Sequence, residues 1–365
     1  MAIDLRFTPS LSATFTRGGA LPRTARRAGA VAATLAALAM PGAAVGQDIV
    51  TIGIPNVATD VGFFLADKNG YFEEEGIEVK FTSFPSAANM IAPLGAGQLD
   101  VGGGAISAGF FNAVHGGINI RIVADKGSIT EEYEYSTLVI RKDHVDSGRF
   151  KTLADLEGMT IAAAAQGANS ESQINQALQK GGLSYEDVKV VYLAYPEMYA
   201  ALSNNAIDGA INNEPTISRM VRDNVAVRAS ETSLFPGYQT AVVLYSENFA
   251  EDRKDVAQRF MRAYVRAVRD YNDALGAGGF TGPTADAVIS ALTEYTAVKD
   301  PEIYRSMTPF VVDPNGVVGA DSLAGDLDFF KSRGLVPAEV TLAPYVDTSF
   351  AAFAVDALGP YTKAE

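Results

Sequence analysis

Gly102-Gly103-Gly104-Ala105-Ile106-Ser107 closes a run of strand-type residues and opens a helical one. Glycines there let a ligand approach backbone N–H groups, and the start of the following helix favours an anionic or polar group. Packing alone would also ask for small residues in a tight strand-to-helix turn. Because strand ends line the crevice of an open α/β sheet, Gly104 and Ser107 are read as ligand-binding. Gln166-Gly167-Ala168-Asn169-Ser170 occupies a matching place further on. Asn169 and Ser170 fit a polar contact to a ligand, and helix capping accounts for them equally well. Glu214, before Pro215, sits where a strand ends. Its carboxylate could accept N–H donors of a ligand or simply favour a helix N-terminus. Thr59, Asp60 and Phe63 fall in the first strand-to-helix turn, where capping and core packing are the plain alternatives. Lys126 follows an apolar strand and could meet an acidic ligand group; an ion pair with Asp125 or a nearby Glu is the preferred account.

Covalent and metal chemistry find no support. The chain has no cysteine and two histidines, His115 and His144, with no Gly-x-Ser-x-Gly nucleophile turn to serve. Gly95-Ala96-Gly97-Gln98-Leu99-Asp100 lacks the third glycine of a dinucleotide fingerprint and precedes a strand instead of following one. No catalytic residue, metal ligand or cofactor is therefore expected. Tryptophan is absent, so stacking on a ligand would fall to Phe63, Phe84, Tyr195 or Tyr238. Arg259, Arg262, Arg266 and Arg269 share one helix face among acidic neighbours, which reads as a solvated face.

The positioning elements follow a targeting segment. Arg17, Arg23, Arg26 and Arg27 precede the uncharged run Ala28–Met40, and Pro41 to Gly46 supplies small residues for cleavage. Residues 1–46 are read as a cleaved signal peptide that sends the protein to the periplasm, by the general route in preference to the twin-arginine one. That segment carries +4 of the formal net charge of −14, leaving −18 for the rest. Such acidity argues against nucleic acid or an anionic membrane as partner. No second apolar run reaches the ~18 residues that a membrane span needs, so a soluble mature protein is expected.

Strand-type and helix-type runs then alternate, which predicts parallel sheets with right-handed crossovers. The order is strand 49–57, helix 61–71, strand 77–84, helix 87–95, a strand near Val101, a helix to Val114 and a strand 120–124. Ser136–Arg141 reads as a further strand of the first lobe, and 142–148 as the passage to a second. There the order recurs: strands 159–165, 188–194 and 207–212, with helices 169–180, 196–203 and 215–224. Gln239–Tyr245 reads as the return crossing. Asp100 and Asp208 hold matching places 108 positions apart. This duplication predicts lobe I over 47–141 plus 242–365 and lobe II over 142–241, joined by a two-segment hinge. Helices near 250–275, 284–295, 301–307 and 321–333 are expected to pack on lobe I.

Thr51-Ile52-Gly53-Ile54-Pro55, Phe64 to Val79 (FLADKNGYFEEEGIEV) and Gly97-Gln98-Leu99-Asp100-Val101-Gly102 resemble the nitrate/sulfonate/taurine class of ABC-transporter solute-binding proteins. Leu153 to Met159, Ile207-Asp208-Gly209-Ala210 and Glu214-Pro215 extend the resemblance through the second lobe. It implies a type II periplasmic-binding-protein fold, no enzymatic activity, and delivery of a solute to the membrane subunits of an ABC permease. It places ligand contacts at Asn56 to Asp60, Gly104 to Ser107, Asn169-Ser170 and Glu214. Enzymatic members with a cysteine-rich site are not matched, since no cysteine is present. The expected function is capture of a small organic solute, a sulfonate, aromatic acid or pyrimidine-like compound, by a monomer. An exported enzyme using the same cleft, or a ligand-sensing subunit, are the rival readings.

Overall fold

The computed structural model describes residues 46–364; the signal-peptide reading lies outside them apart from Gly46. Two five-stranded sheets carry the fold. The first contains β1 (Asp48–Ile54), β2 (Ile77–Ser83), β3 (Val101–Gly104), β4 (Ile120–Ser128) and β10 (Gln239–Ser246), in the order β2-β1-β3-β10-β4. The second contains β5 (Ser136–Arg141), β6 (Thr160–Ala163), β7 (Lys189–Tyr192), β8 (Gly209–Asn213) and β9 (Ala226–Arg228), in the order β7-β6-β8-β5-β9. The topologies are the same. In each sheet four strands run the same way, and the strand arriving from the other lobe lies antiparallel between two of them, β10 between β3 and β4 and β5 between β8 and β9.

That exchange corrects one expectation. Ser136–Arg141 belongs to the second sheet, paired with β8 and β9, and not to the first lobe. The chain leaves the first sheet after Ser128, and the buried run 136–140 fills the gap beside β8. The two crossings meet, with Ile129 N donating to Tyr238 O at 2.9 Å and Gly237 N to Ile129 O at 2.8 Å.

Each sheet lies between two layers of helices, and each face has its own apolar cluster. Seven helices concern the site: α1 (Val61–Lys68), α2 (Ala108–His115), α3 (Asn169–Lys180), α4 (Tyr195–Ser203), α5 (Thr216–Arg222), α6 (Lys254–Ala274) and α7 (Ala320–Ser332). Val256, Phe260, Tyr264, Val268 and Tyr271 recur at helical spacing along α6 and are buried against β1, α1 and neighbours. The arginines on its other side are engaged instead of simply solvated: Arg262 pairs with Glu75, Arg266 with Glu74, and Arg269 donates to Pro314 O at 3.0 Å. The segments after α6 pack on the clusters of the first sheet, as does a further helix, Ser349–Leu358. Among the described residues no helix is long and apolar enough to cross a membrane.

The repeated aspartates do the same work in both lobes. Asp100 accepts from Thr51 N at 2.8 Å and Asp208 from Thr160 N at 2.9 Å, each locking the third strand of its sheet to the first. Both are braced from the side, Asp100 by the Arg253 guanidinium at 3.0 Å and Asp208 by the His144 ring nitrogen at 2.6 Å.

Candidate functional site

Parallel strands of one sheet end at the same edge, and the turns leaving those ends of the two sheets face each other. The β3–α2 turn meets the β6–α3 turn directly: Ser107 forms an antiparallel bridge with Ala168, and Ala108 N donates to Gly167 O at 2.9 Å. These turns hold residues singled out from sequence.

In the first lobe Lys126 forms the wall. It stands inside β4, which runs four residues past its expected end, and its side chain is fully buried. Its Nζ lies 2.8 Å from Asp60 Oδ1 and donates to Thr59 Oγ1 at 3.0 Å. The partner is thus Asp60, not Asp125 or a Glu. A buried ammonium requires such a counter-charge. Burial pushes the Asp60 carboxyl up and the Lys126 ammonium down, each opposed by the charge of the other. Asp60 Oδ2 also accepts from Val57 N at 2.8 Å. The glycine run now has a reason: a Cβ on Gly103 would stand 2.6 Å from Lys126 Cε and 2.8 Å from a Phe63 ring carbon. At Gly104, φ is +159° and a Cβ would stand 2.6 Å from that of Ala87. Both glycines therefore serve packing. Phe63 is not brought to the cleft; its ring is in the core, 5.2 Å from that of Tyr264. Asn56 has φ +60°, and its buried Oδ1 has no partner among the described residues.

Ser107 caps α2 by accepting from Phe110 N at 3.3 Å. Asn169 is buried at the start of α3, with its Nδ2 3.5 Å from Thr240 O. Ser170 accepts from Ala164 N at 3.0 Å and lies beside the Tyr195 hydroxyl. Glu214 is buried, accepts from Ser218 N and Oγ at 3.0 Å each, and pairs closely with Arg228. Burial pushes its carboxyl up and Arg228 opposes this. Arg228 also donates to Thr308 Oγ1 of the first lobe at 3.1 Å. A pocket of about 380 Å³ opens there, lined among others by Pro215, Ser218, Arg228, Ile303 and Thr308. Its walls come from both lobes.

Sequence reasoning missed Tyr135, Thr137, Gln173, Arg228 and Thr308. Tyr135 is buried at the head of β5, near both Asp60 and Glu214, and burial raises its phenol. Thr137 Oγ1 and Gln173 Nε2 are buried without a partner among the described residues. Gln173 is one helical turn after Asn169, so i, i+4 spacing could have found it. Tyr135 and Thr137 were hidden by assigning β5 to the first lobe. Among the described residues no group of acidic, His or Cys side chains could hold a metal ion.

The duplicated doubly wound sheets with facing strand ends define the periplasmic-binding-protein fold. An alkanesulfonate-binding protein from Xanthomonas axonopodis pv. citri, solved bound to MOPS, shares it with a TM-score of 0.62 at 20% identity, over 84% of this chain and 100% of that one. The desulfurization enzyme DszB does so with a TM-score of 0.57 at 15% identity, over 86% of this chain and 100% of that one. Residues 58–273 match the NMT1/THI5-like family, and the chain belongs to it. A Brachyspira hyodysenteriae protein named as an ABC transporter periplasmic binding protein is 26% identical over 277 residues, 72% of this chain and 77% of its own.

Proposed function

We propose that the protein is a monomeric periplasmic receptor that captures one small organic solute between its lobes and passes it, unchanged, to the membrane subunits of an ABC permease. The lobes are taken as residues 46–128 with 239–364, and 136–237, hinged at the two crossing segments. Hinge closure around a ligand is the usual motion of this fold, and a solute can drive it only by contacting both lobes. The supporting observation is the pair of carboxylate–cation contacts at opposing strand ends, Asp60–Lys126 and Glu214–Arg228. Both cations already have their counter-charge, so the walls offer hydrogen bonds in place of net charge. Asn56, Thr137 and Gln173 add an unpartnered acceptor, a hydroxyl and a donor. Such walls suit an aromatic acid or pyrimidine-like solute with a mixed polar edge better than nitrate or a simple alkanesulfonate, whose charge would lack a free cation.

A thermal-shift panel of the three classes, with turnover followed by mass spectrometry, tests this. Binding to the folded form raises the melting temperature by mass action. The expected result is stabilisation by an organic solute that is recovered intact. Stabilisation by nitrate alone overturns the solute class, and chemical conversion of the bound compound overturns the receptor reading in favour of an enzyme.

A further inference from the structure

Asp326 lies outside everything described so far. It sits on α7, whose Leu323, Leu327 and Phe330 belong to an apolar cluster of the first sheet, yet it reaches the second lobe. Its carboxyl is fully buried. Both oxygens face the hydroxyl of Tyr238, in the return crossing, at 2.9 and 3.0 Å. The same hydroxyl lies 3.0 Å from the carbonyl oxygen of Asn169 at the head of α3. Ser172 stands beside both Asp326 and Tyr238.

A phenol carries one proton. With Asp326 ionised, that proton faces two acceptors and can satisfy one of them. With Asp326 protonated, the carboxyl donates to the Tyr238 oxygen and Tyr238 donates to Asn169, so both contacts are made. The surroundings agree, because no cation lies within ion-pair distance of Asp326 among the described residues. The charged groups on the packed elements are engaged elsewhere or belong to distant turns. Glu171 of α3 binds Gly167 N, Tyr185 and Tyr192. His115 of α2 faces Glu339, Lys331 of α7 faces Asp328, and Arg333 pairs with Glu186. Lys180 of α3 and Asp321 of α7 are exposed, away from the buried carboxyl. Burial pushes the Asp326 carboxyl up to about 7, and the hydrogen bonds of Ser172 and Tyr238 oppose that rise without cancelling it.

We propose that Asp326 is a proton-binding positioning residue: it takes up a proton as the lobes meet and, through Tyr238, holds the Asn169 end of α3 against the first lobe. An exposed carboxyl loses its proton near pH ~4, whereas the buried one keeps it to about 7. The closed arrangement therefore binds more protons in that window. Raising the pH through it disfavours closure, and no further change is expected above it. The consequence for solute capture rests on the receptor reading; the proton uptake does not.

Two solute-free measurements on the mature chain test the proposal. In protein labelled at aspartate Cγ, the NMR resonance lost in Asp326→Asn is expected to titrate between about pH 6 and about pH 8. The radius of gyration from X-ray scattering is expected to shrink from about pH 8 to about pH 5.5, while Asp326→Asn, a mimic of the protonated acid, stays compact at both. A resonance already ionised at about pH 5, or the same pH response in variant and wild type, overturns it. Tyr238→Phe is the second variant: loss of its hydroxyl, which favours the ionised carboxyl, should raise the Asp326 midpoint and move the scattering response to higher pH with it, and an unchanged midpoint contradicts the proposal. Neither readout needs a solute, so failure here is distinct from failure of the receptor reading.

Discussion

The outer ends of the two sheets are near copies of each other, and the facing ends are not. At the outer ends Asp100 and Asp208 accept from Thr51 and Thr160 in the same way and lock the same pair of strands. At the facing ends the first lobe presents a wholly buried lysine–aspartate pair on a glycine-lined strand. The second presents a glutamate under a half-buried arginine beside an open pocket. Both ends descend from the same duplicated topology. The repeated end is architecture, required wherever that topology occurs. The diverged end is where the lobes face each other and where the proposed solute site lies.

The contrast between the two ion pairs can be broken most forcefully in the first lobe. Lys126→Met strands Asp60 without its counter-charge and should cost about 3–5 kcal/mol of stability, read by urea unfolding, unless the carboxyl takes a proton. A loss near zero would mean that the pair is not the buried support described. Gly103→Ala drives a methyl into Lys126 and Phe63 and should cost about 1–3 kcal/mol. Asp100→Ala and Asp208→Ala each remove a half-buried acceptor and should cost a similar ~1–3 kcal/mol, with solute affinity unchanged. A large affinity change in either would move the site to the outer end. Ser107→Ala and Asn169→Ala should each weaken solute binding by about 0.5–1.5 kcal/mol in titration calorimetry, the smallest effect here. Wild-type affinity in both would remove those turns from the site.

Much of this was legible in the sequence because it rests on local periodicity. The amphipathic run of α6, the glycine turns and the twice-occurring aspartate each announce their element within a few residues. Most of the site was less legible, because its contacts are distant in sequence. Lys126 and Asp60 are 66 positions apart, and which carboxylate meets the lysine depends on how β4 and the first turn pack. Arg228 lies on a three-residue strand too short to show a pattern. The strand Ser136–Arg141 was recognised as a strand but assigned to the wrong sheet, because its partner β8 lies some 70 residues on. Phe63 looked like a cleft aromatic from its place in a turn, and tertiary packing turned it into the core.

Native mass spectrometry of the protein, purified without unfolding, tests the central claim most directly. One intact organic molecule per chain, retained by the wild type and released when the protein is denatured, is the predicted result. A chain that never carries such a molecule under conditions where its transporter is active, or one that carries a chemically altered product, would contradict the account.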